Sequence, residues 1–229
     1  MGRGKRERPR DILLYDNAPF RLIRVKVLQK TPPGKEKPSL KAMVFLLSSF
    51  LLITLATGCS SRSETGDKLV VALESNPTNL DPRLALDVAS ERVNQLVYSK
   101  LVRFDENLSI VPDLAERWEN PDPLTYIFHL KKGLLFHDGV EVSSRDVKYT
   151  FESMMDPALG SAKRGSYSSI ERIDAPDPLT VVFKLREPYA PFLDSMVQGI
   201  VPEHIARSGG RNLSLNPVGS GPFRFAKWE

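Results

Sequence analysis

Residues 133–152, GLLFHDGVEVSSRDVKYTFE, place a turn, a helix cap and an amphipathic helix in one run. Asp138-Gly139 is a turn signal between two apolar stretches, which predicts a tight reversal. Ser143-Ser144-Arg145-Asp146 has the spacing of a capping box, with Asp where Glu or Gln is usual. The helix it opens should run through Met155 and carry Val147, Phe151 and Met154 on one side. On either side of this run a ten-residue pattern recurs. PDPLTYIFHL at 121–130 and PDPLTVVFKL at 176–185 share seven of ten positions at an offset of 55 residues. Each follows a strand-like segment, 117–119 and 170–174, so both read as hairpins turned by Pro-Asp-Pro. Two copies are too few for a solenoid, and convergence on one hairpin design explains them better than duplication.

Working towards the amino terminus, Leu69–Leu73 (LVVAL) reads as a buried strand and 74–82 as a turn-rich loop. Residues 87–100 follow with Val88, Val93, Leu96, Val97 and Leu101 at helical spacing. Residues 112–118 look like a short helix with Pro112 near its start. Strands and helices are mixed without the regular alternation of a doubly wound sheet, so the fold class is mixed α/β.

The first 58 residues differ in kind. They hold 12 of the 32 Lys and Arg and 4 of the 28 Asp and Glu, a net of +8, leaving −4 for residues 59–229. The basic pI therefore belongs to the leader, and no nucleic-acid partner is implied. Met43–Ala56 is an apolar stretch of fourteen residues, of signal-peptide length and short for a bilayer span. It leads into Ala56-Thr57-Gly58-Cys59, which resembles the bacterial lipoprotein box, although that box usually has Leu, Val or Ile where Ala56 stands. The resemblance implies cleavage before Cys59 and lipid attachment to it; an uncleaved anchor helix is the alternative. Cys59 is the only cysteine, so no internal disulfide can form. The basic arm is long for a signal, which a misplaced start codon would also explain. Residues 59–67, polar and small, read as a tether.

No catalytic constellation stands out. Alternation puts His129 on the face opposite Phe128 and Leu130, and Lys184 occupies the equivalent place in the second hairpin, so His129 should face solvent. His137 belongs to the Asp138-Gly139 turn. His204 has no partner at metal-ligand spacing, and three scattered histidines do not make a zinc site. Gly-x-Ser-x-Gly is absent. Gly219-Ser220-Gly221-Pro222 lacks the Lys-Ser/Thr sequel of a phosphate loop. No cofactor, metal or catalytic residue is expected.

KLVVALESNPTNLDP at 68–82, GLLFHDGVEVSSRDVKYTFE at 133–152 and NPVGSGPFRFAKWE at 216–229 resemble, in order, three blocks of the family 5 extracellular solute-binding proteins of ABC importers. PDLAERWE at 112–119 and LREPYAPFLDSM at 185–196 fit between them. The resemblance implies a two-lobed, periplasmic-binding-protein-like type 2 fold that closes on a solute, a peptide foremost, and passes it to ABC permease subunits. It also implies a non-enzymatic protein; with the lipoprotein box at 56–59, the chain is expected to be exported and anchored by lipid at the periplasmic or outer face of a bacterial cell membrane. By analogy, 68–99 and 189–229 form the ligand-facing part of the amino-terminal lobe and 100–188 the accessory part. Asn76, Pro77, Thr78 and Asn79, segment 197–201, and Gly219, Ser220 and Gly221 would approach the cleft, with Pro77 and the two glycines equally well explained as backbone-shaping residues. A surface enzyme or sensor on the same fold is the rival reading. Ending inside the third block, the chain looks like an amino-terminal fragment, and strands at 69–73 and 223–225 are then expected to stay partly uncovered.

Overall fold

The computed structural model describes residues 12–16, 22–27, 68–208 and 212–228. Ten strands and four α-helices are placed among them: β1 Ile12–Asp16, β2 Leu22–Val27, β3 Lys68–Leu73, α1 Val88–Val97, β4 Val102–Phe104, β5 Ile110–Pro112, β6 Ala115–Asp122, β7 Thr125–Leu130, α2 Ser144–Met155, β8 Ile170–Asp177, β9 Thr180–Leu185, α3 Phe192–Ser195, α4 Glu203–Ser208 and β10 Phe223–Trp228. They form a mixed α/β fold with two four-stranded sheets, ordered β10-β1-β2-β3 and β6-β7-β9-β8, and a small β4-β5 ribbon.

The second sheet follows from the repeated hairpins. Strands continue to Asp122 and Asp177, so the turn residues are Pro123-Leu124 and Pro178-Leu179, one step later than the sequence reading placed them. Each Asp carboxylate accepts from the Leu N–H two residues on, at 2.8 Å in both copies. This is the local Asx bond that favours Asp at a turn. The hairpins join through β7 and β9: Thr125 lies opposite Lys184, His129 opposite Thr180, and Ile127 opposite Val182. Shifting by the 55-residue offset exchanges the two outer pairs and maps Ile127 onto Val182. A local two-fold axis therefore passes between those two residues. The outer hydrogen bonds obey it, with Leu130 N–H on the Leu179 carbonyl (2.7 Å) and Leu185 N–H on the Leu124 carbonyl (2.8 Å).

Alternation buries Phe128, Leu130, Val181, Phe183 and Leu185 on one face, where α2 packs with Val147, Phe151 and Met154. Phe183 is the hub, its ring centroid 5.6 Å from Phe128, 5.3 Å from Phe151 and 5.5 Å from Phe192. Edge-on geometry at such spacings is favourable. Helix α2 starts where the cap pattern placed it. The Ser143 N–H and hydroxyl both donate to the Asp146 carboxylate, at 2.9 and 2.8 Å. The other carboxylate oxygen accepts the Glu203 N–H at 2.8 Å, so a short Asp also ties α4 to α2.

Three expectations need correction. Residues 112–118 are not a helix: Ala115 opens β6, and Trp118 pairs with Phe128 of β7. Cross-strand packing on the core overrides the local propensity there. Val88 does not share the buried face of α1; it is 61% exposed beside the cap. Residues 1–58, read as a basic leader and export signal, include β1 and β2, and Ile12 and Leu14 are fully buried. With those strands present, Leu73 and Phe225 are buried rather than uncovered, while Val70 remains 55% exposed. The apolar stretch 43–56 and Cys59 lie outside the described residues. No helix among the described residues is long and apolar enough to cross a membrane.

Candidate functional site

Both predicted cleft loops are fastened to α1, one at each end. At the amino-terminal end, Asp87 caps the helix by accepting from the Ser90 N–H (2.8 Å), and its other oxygen takes the Ser90 and Thr78 hydroxyls, each at 2.6 Å. The Ser90 hydroxyl oxygen in turn accepts from the Thr78 and Asn79 N–H groups at 2.9 and 3.1 Å. Burial pushes the Asp87 carboxyl up, but the bonds from Ser90 and Thr78 outweigh it and hold it below the ordinary range. Loop 76–79 is thus built onto a helix terminus, with Pro77 buried, Asn76 and Asn79 half-buried and Thr78 exposed.

At the other end the Gly221 N–H donates to the Val97 carbonyl at 2.8 Å, and the Ser99 hydroxyl to the Ser220 carbonyl at 3.0 Å. A Cβ on Gly219 would lie 2.0 Å from the Val97 oxygen, and one on Gly221 would lie 2.6 Å from the Val97 carbonyl carbon. Here only glycine lets two backbones meet. The ten-residue helix separates its termini by about 15 Å. The loops therefore share a support but do not meet at a point. Segment 197–201 lies against the same region: Gln198 donates to the Pro82 carbonyl (2.7 Å), Gly199 bridges to Lys100, and Ile200 and Val201 are fully buried. Ser220 Oγ and both polar atoms of the Asn94 side chain, on α1, are buried without a hydrogen-bond partner.

His137 does more than occupy a turn. Gly139, at φ +88°, makes the predicted reversal. The turn is docked on the glycine loop: the His137 N–H donates to the Gly219 carbonyl (2.8 Å), the Gly219 N–H points at His137 Nδ1 (3.3 Å), and Nε2 lies 3.0 Å from the Gly221 carbonyl. Only a neutral ring protonated at Nε2 satisfies both contacts. Burial, with Arg224 nearby, keeps the imidazole below its ordinary pKa despite the bond to Gly221. His204 meets Asp138 at 2.7 Å and its ring lies edge-on to Phe136, a pairing invisible in sequence because His204 and Asp138 are 66 positions apart. His129 faces outward as alternation predicts and pairs with Glu119 at 3.0 Å.

Sequence reasoning also missed a buried polar knot under loop 76–79. Arg83 and Asp81, both almost wholly buried, form a two-pronged ion pair at 3.0 and 2.7 Å. The Pro82 carbonyl accepts from Lys163 and Gln198, and the Arg83 carbonyl from Ser161. Burial disfavours the Arg83 charge, and the hydrogen bond and attraction from Asp81 overcome it. A clue lay in Leu80-Asp81-Pro82-Arg83, where two opposite charges flank a proline, but their burial could not be read locally. Clefts of about 620 Å³ beside Arg164, Tyr167 and Arg186, and of about 400 Å³ beside Arg145, Tyr149 and Arg207, include no residue of either predicted loop. Among the described residues no group of three or more His, Cys, Asp or Glu could hold a metal ion.

Residues 109–229 match the family described as bacterial extracellular solute-binding proteins, family 5 Middle. The chain belongs to that family. It is 29% identical over 187 residues to the glutathione-binding protein GsiB of Escherichia coli O1:K1, covering 80% of this chain and 36% of that one. The Campylobacter jejuni NikZ structure with Ni(L-His) superposes with a TM-score of 0.63 at 33% identity, over 69% of this chain and 32% of that one. The Helicobacter pylori periplasmic binding protein DppA, solved with peptide STSA, gives 0.60 at 31%, over 67% and 35%. The chain thus spans about a third of the length of these relatives.

Proposed function

We propose that this chain is the amino-terminal part of a two-lobed receptor that captures a small solute, a peptide foremost, outside the cytoplasm and delivers it to an ABC import permease. Family membership supports the receptor role. The solute class rests on the chemistry of the relatives' ligands, because glutathione, the peptide STSA and nickel-bound histidine all present amino-acid groups. Loops 76–79 and 219–221, fixed at the two ends of α1, supply the ligand-facing backbone on this lobe, and the longer receptor supplies the opposing wall. A solute enclosed between two walls loses most of its water contact, from which affinity and selectivity follow. Lipid at Cys59, joined through the tether 60–67, would hold the receptor at the membrane.

Two measurements test this. Native mass spectrometry of the full-length gene product should release a small solute, and calorimetry should give saturable binding of glutathione or a short peptide but not of a neutral sugar; saturable sugar binding alone would reject the peptide class. Labelled palmitate should enter the protein and be lost in Cys59→Ser. Persistent labelling in that variant would reject the anchor.

A further inference from the structure

The cleft of about 620 Å³ beside Arg164 and Arg186 belongs to the hairpin sheet and has a chemistry of its own. Ile170 opens β8 opposite Leu185, and the Arg186 N–H donates to the Ser169 carbonyl at 2.9 Å, so Arg186 stands beside the start of β8. Arg164 lies on a 3₁₀ turn, Ala162–Tyr167, held to α2 by the edge-on contact of Tyr167 with Phe151, 5.2 Å between centroids. Met155, the last residue of α2, completes the lining. The floor is apolar: Tyr167 and Ile170 are almost wholly buried and Met155 is half-buried. Its hydroxyls are already engaged, Ser168 with the Gly165 carbonyl (2.9 Å) and Tyr167 with the Ser195 carbonyl (3.4 Å). That leaves the two guanidinium groups.

Arg83, Arg92, Arg117, Arg172 and Arg207 each meet a carboxylate. Neither Arg164 nor Arg186 has an ion-pair or side-chain hydrogen-bond partner among the described residues, and no acidic residue is among those that line the cleft. Asp156, next in sequence to Met155, gives its carboxylate to the Ala158 N–H instead. Two uncompensated cations thus share one cleft in a stretch, 59–229, whose net charge is −4. We infer that this cleft is a second binding site, for an organic carboxylate with an apolar body. A guanidinium presents a planar fork of N–H donors that matches the two oxygens of a carboxylate. Phosphate also fits such a fork, but its further oxygens need donors that the engaged hydroxyls and apolar floor do not offer. Tyr167, Ile170 and Met155 take the apolar body, and its burial adds to a charge pairing that is weak by itself at a surface. The volume lies within the range of small-molecule sites, roughly 300–1,000 Å³.

The test is a ligand-observed NMR titration of the 229-residue chain with phenylacetate, phenylacetamide and acetate. Phenylacetate should bind saturably. The amide keeps the shape without the charge, acetate keeps the charge without the apolar body, and each should bind at least ~10-fold more weakly. Arg164→Gln and Arg186→Gln should each raise the phenylacetate Kd by at least ~10-fold. Both side chains are exposed, so folding is not at stake, and Arg103→Gln, at an exposed arginine outside the cleft, should leave the Kd unchanged. Absence of saturable phenylacetate binding, equal binding of the amide or of acetate, or a Kd indifferent to both cleft substitutions would overturn the inference. Displacement of phenylacetate by an equal concentration of inorganic phosphate would overturn the choice of carboxylate. Neither loop 76–79 nor loop 219–221 lines this cleft, so these outcomes leave the receptor reading standing, and failure of solute binding leaves this one.

Discussion

Sheet β6-β7-β9-β8 takes all its strands from residues 115–185, as two hairpins joined about a local two-fold axis, whereas sheet β10-β1-β2-β3 collects strands from residues 12 to 228. The first is closed by its own aromatic cluster under α2. The second depends on segments separated by most of the chain, and two of its strands precede the apolar stretch at 43–56. Because loop closure must be met before distant contacts form, the hairpin sheet should assemble first and the mixed sheet last. Stability should divide along the same line.

The strongest way to break the hairpin sheet is at its hub. Phe183→Ala removes the ring that contacts Phe128, Phe151 and Phe192, and a buried Phe→Ala change typically costs about 3–5 kcal/mol. Urea unfolding followed by tryptophan fluorescence should show this loss. A shift below about 1 kcal/mol would mean that α2 and the hairpins are not one cooperative unit.

The junction between the two regions comes next. Gly219→Ala places a methyl 2.0 Å from the Val97 oxygen, so the loop or the end of α1 must move. Overpacking of this kind costs about 1–3 kcal/mol. Gly165→Ala is the control, because a Cβ there meets nothing within 4 Å and should change stability by less than about 0.5 kcal/mol. Equal effects of the two substitutions would show that the glycine loop is not held against α1.

Protonation probes the same junction more gently. The His137 pKa is lowered in the folded protein, so the unfolded chain binds more protons as pH falls through the ordinary histidine range. The contribution of the neutral ring is therefore complete above about pH 6.5 and is lost as pH drops through the folded value. Stability measured from pH 7.5 to 5 should fall more steeply for the native chain than for His137→Gln. Parallel curves would remove the neutral-ring bridge between Gly219 and Gly221.

How much was legible beforehand follows the same division. The α2 cap at Ser143–Asp146, both hairpins and the outward face of His129 depend on neighbours within a few residues, and all were readable. The β-structure at 112–118 was not, because the signal lies in Trp118 meeting Phe128 across a pair rather than in local propensity. Nor were β1 and β2, whose partners stand at 68–73 and 223–228 and which lie within a segment, 1–58, whose net positive charge suggests a leader. At the candidate site, glycines 219 and 221 could be recognised as backbone-shaping from composition. The surface they approach, the carbonyl end of α1, could not, since more than a hundred residues separate it from them. The Asp81–Arg83 pair and the His204–Asp138 contact were missed for similar reasons: burial and meeting in space are tertiary facts.

The smallest expected effect tests the symmetry itself. His129 and Lys184 occupy equivalent places about the axis, His129 opposite Thr180 and Lys184 opposite Thr125, and the Lys184 amine donates to the Thr125 hydroxyl at 2.6 Å. If the two hairpins offer interchangeable surroundings, exchanging the pair by His129→Lys with Lys184→His should preserve both contacts in mirrored form. Neither residue lies on the buried face, so core packing does not change. The melting temperature of the double variant should stay within about 2 °C of the native value, the range of ordinary surface substitutions. Each single variant places two like side chains at the axis-related positions and should fall slightly below the double. A double variant less stable than either single would show that the hairpins, for all their shared sequence, are fitted to different surroundings, Glu119 beside His129 and Asp174 at the equivalent place in the second hairpin.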